Sequence, residues 1–154
     1  MSNQTKKVFV YVGHSNWGKS LTLQQITDGV AKKQQATIKD QHFWVKKMSN
    51  DDDAESLKKF AKYIYPSKWQ THAIIAYCPN HEKDNEAREI LDTLAGYAEL
   101  YFFVQETKFN RPQSQITTAE IAHLHTIGIV EVLTGHHKAT VRAERFLQFI
   151  ESHI

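Results

Sequence analysis

Apolar positions fall along this chain in two rhythms. Five short, nearly unbroken apolar runs occupy residues 8–12 (VFVYV), 42–45 (HFWV), 73–78 (AIIAYC), 100–104 (LYFFV) and 129–133 (IVEVL). They are rich in β-branched and aromatic side chains, which predicts strands. The run 73–78 has no polar interruption and stops at Pro79, as a strand buried on both faces does. Between the runs the period changes to that of a helix. Leu57, Phe60, Ala61 and Ile64 form one stripe that Pro66 ends; Ala87, Ile90, Leu91, Leu94 and Ala98 form a second; Ala143, Phe146, Leu147, Ile150 and Ile154 form a third. A further helix is predicted over 21–26, ending at Asp28-Gly29, and another over 116–127. Residues 30–41 are polar and ambiguous. Residues 105–115 are polar, contain Arg111-Pro112, and read as a loop or lid.

Strand and helix alternating about five times predicts an α/β fold, doubly wound, with a mainly parallel five-stranded sheet and helices on both faces. The chain, residues 1–154, shows no internal repeat, low-complexity segment or linker and reads as a single domain. In open sheets of this kind ligands sit beyond the carboxyl ends of the strands. Chemistry is therefore expected at residues 13–20, 51–53, 78–84, 105–111 and 135–138.

Composition narrows the class only slightly. Apolar content of 41% and charged content of 23% suit a soluble globular protein. The net charge of +2 gives no nucleic-acid signal, because the lysine pairs (Lys6-Lys7, Lys32-Lys33, Lys46-Lys47, Lys58-Lys59) are interleaved with acids. The single cysteine, Cys78, permits no internal disulfide and points to a reducing, cytoplasmic setting. The polar opening MSNQTKK gives no expectation of a signal peptide, and no apolar run approaches the ~20 residues of a membrane span.

The first strand breaks into Gly13-His14-Ser15-Asn16-Trp17-Gly18-Lys19-Ser20, the Walker A or P-loop spacing G-x-x-x-x-G-K-S. Ordinary residue usage would produce that pattern about once in two hundred chains of this length, and the strand before and helix after reduce the odds further. The glycines allow a tight turn whose N–H groups converge on phosphate oxygens. Lys19 would place a cation on the β- and γ-phosphates, and the Ser20 hydroxyl would ligate Mg²⁺. The helix starting near Leu21 would turn its positive end to the anion.

On this motif the chain resembles the P-loop NTPase superfamily, and its layout is similar to the small P-loop kinases: nucleotide, shikimate and polynucleotide kinases and zeta-toxin relatives. The resemblance implies that ATP (or GTP) with Mg²⁺ is the donor and that an unidentified acceptor receives the phosphoryl group. It implies that Asp51 or Asp53 orients or deprotonates the acceptor, that Arg111 is a lid cation, and that the turn at Gly135 lies near the base, with His136 beside it. The chain departs from the pattern in three places. The third predicted strand ends in Cys78-Pro79-Asn80 where a Walker B aspartate would stand. No GTPase motif follows the fourth, which reads Gln105-Glu106-Thr107-Lys108. The arginines number only four.

Simpler readings stand beside these. The Asp51-Asp52-Asp53 run also suits a helix N-terminus. Arg111 also suits a solvated loop, and Arg142 and Arg145 fall on the outer side of the last helix as surface residues, with closure over a nucleotide as the other reading. Cys78 reads as a small buried residue. Histidines at i and i+2, such as His123 and His125, point apart on a helix and lack metal-ligand spacing. Trp17 admits three roles: stacking on a base, packing on the lid, or a protein contact. Three functions compete: a small-molecule or nucleotide kinase, a slow nucleotide-dependent switch acting on a protein partner, and a P-loop fold without nucleotide.

Overall fold

The computed structural model describes residues 6–13, 17–30, 33–47, 49–67, 72–79, 86–108, 111–135 and 137–154, with backbone alone at 51, 52, 86, 108 and 111–115. Strand β1 spans Lys6–Val12 and leads to helix α1, Lys19–Ile26; β2, Gln35–Ile38, and β3, Gln41–Lys46, follow. Helix α2, Asn50–Lys59, runs on into a π-helical turn, Phe60–Ile64, and a short 3₁₀ turn, Tyr65–Ser67. Next come β4, His72–Tyr77, α3, Glu86–Ala95, and β5, Ala98–Gln105. The chain closes with a hairpin of β6, Thr107–Lys108, and β7, Arg111–Gln115, then α4, Thr118–His125, β8, Ile129–Leu133, and α5, Ala139–Glu151.

The main sheet has six strands in the order β2-β3-β4-β1-β5-β8. β1 pairs in parallel with β4 on one side (Lys7 with His72, Val12 with Tyr77) and β5 on the other (Lys6 with Ala98, Val12 with Val104). The doubly wound, mainly parallel architecture is as expected, with one strand more than the apolar runs disclose. β2 pairs antiparallel with β3 through a two-residue turn at Lys39-Asp40, both with positive φ. Only Ile38 of β2 is buried, so its sequence carries little apolar signal.

Residues alternate between the two faces of the sheet. Val8, Val10 and Val12 of β1 pack with Ile75 and Phe102 against Leu57, Phe60, Ile90, Leu91, Leu94 and Leu124 of the helices α2 to α4. Phe9 and Tyr11 face the other way, with Ile74 and Phe103, onto Leu23 of α1 and Phe146, Phe149 and Ile150 of α5. Phe9 stacks on Tyr101 at 4.9 Å and meets Phe149 edge-on at 6.1 Å. The segment after β1 thus leaves toward the α1/α5 face, and those after β4 and β5 toward the other. The carboxyl end of β1 lies where the winding reverses, the place such sheets bind ligands.

Two predicted stripes are corrected at their ends. Ile64 is exposed, because the π turn bonds Tyr65 N–H to the Phe60 carbonyl, and Tyr65 takes the buried place instead. Ala98 opens β5 and does not belong to α3, which ends at Ala95 just before Gly96. Among the described residues no helix is long and apolar enough to cross a membrane.

His72, at the opposite end of the sheet, is 3% exposed, contacts Gln41 through Nε2 and packs 5.1 Å from the Phe43 ring. Burial, helped by the charges of Lys7 and Lys6, pushes its pKa from 6.5 down to about 4. The unfolded chain therefore binds the proton first as pH falls. The stability owed to neutral His72 is full above pH 6.5 and is lost toward pH 4, roughly 3 kcal/mol in all. Urea melts across that window should show this slope in the native chain and a flatter one in His72→Phe.

Candidate functional site at the carboxyl end of the central strand

β1 continues its pairing one step past Val12, with Gly13 N–H donating to the Tyr77 carbonyl at 3.0 Å. Three expected phosphate-loop residues, His14, Ser15 and Asn16, lie outside the described residues, as do His136 and Asn80. Trp17 returns to the protein 5% exposed, within the apolar cluster beneath α2 to α4. It packs into the core, a role outside the three weighed from sequence.

Gly18 caps α1 in the left-handed region, φ 81° and ψ 24°, without a side-chain cap bond. That conformation suits glycine. The Gly18 carbonyl accepts from both Thr22 N–H and Thr22 Oγ1, each at 3.0 Å, which locks the first turn. The amides of Lys19, Ser20 and Leu21 then have no acceptor within their own helix, and no acid stands in that turn. Lys19 is 6% exposed and folds back across the loop: its Cγ and Cδ lie 3.4 and 3.6 Å from where a Cβ on Gly13 would sit. Gly13 therefore leaves room for the lysine stem. Ser20 Oγ donates to the Lys47 carbonyl at 3.2 Å, which leaves its oxygen lone pairs for a cation. The Leu21 side chain is exposed, so only its backbone faces the site.

The second flank is built on Asn50. Its amide Nδ2 donates to the Cys78 carbonyl at 2.8 Å, and its Oδ1 accepts from Cys78 N–H at 2.7 Å. This pairing ties the start of α2 to the end of β4, where Cys78 is buried as expected. Asp53 has extended φ/ψ, −158° and 91°, and breaks α2. Its Oδ1 accepts from Ser56 N–H at 3.1 Å. The capping role read for the acidic run is thus filled by Asp53, which is exposed; the side chain of Asp51 lies outside the described residues. Arg111 opens β7, paired across the hairpin with Lys108, and its side chain is likewise undescribed. The expected loop at 105–115 is therefore the end of β5 followed by a hairpin, tied down by Glu106 N–H to the Leu133 carbonyl (3.2 Å) and Ile116 N–H to the Glu106 carbonyl (2.9 Å).

Arg142 requires a correction. It is 5% exposed and points inward against the first turn of α1. Its Nε donates to Thr22 Oγ1 (3.0 Å), Nη1 to the His137 carbonyl (2.6 Å) and Nη2 to the Gly18 carbonyl (3.4 Å). A sequence signal exists: Arg142 lies four residues before Phe146, on the row that continues to Phe149 and Ile150. Beside it, Tyr11 OH donates to Gln105 Oε1 at 2.9 Å, and burial raises the phenol to about 12 against the opposing Arg142 charge. Gln105 Nε2 donates to the Thr107 carbonyl (3.1 Å), and Thr107 Oγ1 to the Gly135 carbonyl (3.1 Å). The sequence reading also missed Glu120, buried in the first turn of α4, whose charge contributes to raising Tyr77. Among the described residues no three His, Cys, Asp or Glu side chains converge as a metal cluster. A cavity of about 350 Å³ lies between α2, its π turn and α3, and none of the described residues among 13–20 lines it.

Gly18 and Gly29 separate two costs. Both have positive φ, 81° and 77°, but a Cβ at Gly18 would stand 2.7 Å from Arg142 Nη2, whereas nothing lies within 4 Å at Gly29. Gly29→Ala should lose about 1–2 kcal/mol from backbone strain alone. Gly18→Ala should lose clearly more, because the guanidinium must leave its acceptors. Denaturant melts of the two variants check the difference.

No protein-family model matches the chain, and no curated protein matches it. Among solved structures it is similar to the solution NMR structure of a de novo designed protein of P-loop NTPase fold, at 15% identity, with 96% of this chain and 97% of that one covered and a TM-score of 0.46. A likeness that distant carries no weight for the site, which stands on its own geometry.

Proposed function

We propose that the chain binds a nucleoside triphosphate with Mg²⁺ at residues 13–21 and passes the terminal phosphoryl group to an acceptor, as an ATP-dependent kinase of a small molecule or nucleotide. GTP is the alternative donor. One observation carries the reading: Lys19 is laid back across Gly13, on a helix that Gly18 opens without a side-chain cap, at the end of the central strand.

The chain's own groups suit that task. First-turn amides, which have no acceptor inside their own helix, and the helix dipole favour a polyphosphate there. Lys19 neutralises charge as it shifts toward the leaving diphosphate. Mg²⁺, held through Ser20, would supply further charge neutralisation across the phosphates. The acceptor oxygen bonds to the terminal phosphorus as the bond to the diphosphate breaks, and its proton passes to a carboxylate. Asp53 is engaged by Ser56 N–H, which leaves Asp51 as the first choice for that base. Arg111 would bring a second cation from the hairpin. The buried lone cysteine supports a cytoplasmic setting.

The second reading is a slow nucleotide switch acting on a protein partner. It is favoured by the end of β4, where the sequence carries Cys78, held by the Asn50 amide, in place of a Walker B aspartate. Its mark would be a partner retained with nucleotide and released in Lys19→Ala.

Thermal melts with ATP, GTP, deoxynucleoside triphosphates and diphosphates, with and without Mg²⁺, test binding. A triphosphate at a hundredfold its Kd should add about 2.7 kcal/mol of stability, and Lys19→Ala should abolish that gain with the fold intact. Absence of any shift would end the proposal. For the base, Asp51→Asn should remove transfer to acceptor and keep the melting shift. Asp53→Asn, which preserves a cap, should stay within about 0.5 kcal/mol of the native stability and retain transfer.

A further inference from the structure

Arg142 presents an unusual electrostatic situation. A buried cation is ordinarily paired with a carboxylate. Here its hydrogen bonds go to neutral oxygens, the Thr22 hydroxyl and the Gly18 and His137 carbonyls, with the Tyr11 phenol beside it as a further neutral contact. A carboxylate partner would have cancelled its field, whereas these acceptors leave a positive potential directly under the phosphate loop. The three acceptors also belong to two separate pieces of backbone. Gly18 and Thr22 form the first turn of α1, and His137 lies in the turn between β8 and α5. A second buried route runs from Tyr11 through Gln105 and Thr107 to Gly135 in that same turn. Both routes, joined where Tyr11 contacts Arg142 and Thr22, tie the turn to the carboxyl end of β1, and one of them carries a charge that a bound anion would attract.

We infer that Arg142 is a positioning residue that couples the two: an anion at the phosphate site draws on the guanidinium, tightens its bonds to Gly18, Thr22 and His137, and steadies residues 137–138 and the first turn of α5. Ordering of the turn then strengthens anion binding by the same factor. The inference rests on the phosphate-site reading above and extends it from a local cradle to a two-part site.

Amide hydrogen exchange, measured residue by residue with saturating tripolyphosphate and Mg²⁺ as the probe, tests it. In the native chain the probe should slow exchange at the first-turn amides of α1. At residues 137–143 the slowing should be about fivefold or more. Arg142→Met should keep slowing at α1 and lose it at 137–143. Arg142→Lys and Thr22→Val, milder changes in case the methionine variant unfolds, should each weaken the slowing at 137–143, since a lysine ammonium cannot bracket three acceptors and valine removes one. Arg145→Met, an exposed change on the same helix, should leave both effects in place. Slowing at α1 with none at 137–143 in the native chain, or undiminished slowing there in the Arg142 and Thr22 variants, overturns the coupling alone. No slowing at α1 overturns the phosphate site and the coupling with it.

Discussion

A guanidinium sealed inside a domain cannot lose its proton and cannot reach water, so the surrounding backbone must be arranged to receive it. Arg142 imposes that condition on the functional end of this protein. Gly18 must lack a side chain to let it close, Thr22 must face inward, and the turn after β8 must present the His137 carbonyl. The concessions come from two segments, the first turn of α1 and the turn after β8, and together they fix where α1 starts relative to α5. The two helices cover one face of the sheet, and the cation is the polar rivet near their top.

The other face is organised without charge. Val8, Val10 and Val12 lie against aliphatic and aromatic side chains from α2 to α4, and Trp17 extends that cluster up to the loop. Trp17 and Gly18 are thus fixed from two sides, by the apolar cluster and by the Arg142 guanidinium, before any ligand is considered. Asn50 serves the neighbouring strand end in a similar way, by bonding both polar groups of Cys78.

Much of the fold was legible because its signals are local. Strands β1, β3, β4, β5 and β8 are apolar runs, and α3 and α5 carry helical stripes, so periodicity alone finds them. β2 escaped because an edge strand with one buried residue has no such rhythm. Ile64 was misplaced because a π turn holds one residue too many for the α period. At the candidate site, spacing within eight residues singles out Gly13, Gly18, Lys19 and Ser20, and the structure sets Gly18 at the start of α1 and the Lys19 stem against Gly13. Arg142 could not be read as a partner of Gly18 and Thr22. The pairing joins segments more than a hundred residues apart, and a polar residue beside an apolar stripe looks like surface until its acceptors are known. Trp17 misled for the same reason: which way a loop side chain turns depends on the space left by elements elsewhere in the chain.

The placement of β1 also bears on how the chain assembles. β2 and β3 meet across a two-residue turn, a contact that costs little chain entropy and can form early. The central strand has no such neighbour: Lys7 must find His72, and Lys6 must find Ala98, before either ladder exists. Until then the segment VFVYV stands bare, with high strand propensity and no charge inside it. Slow, non-local closure of this kind leaves a nascent chain open to intermolecular strand pairing. The strand that is most deeply protected in the finished protein is thus the one most in need of shelter while it is being made.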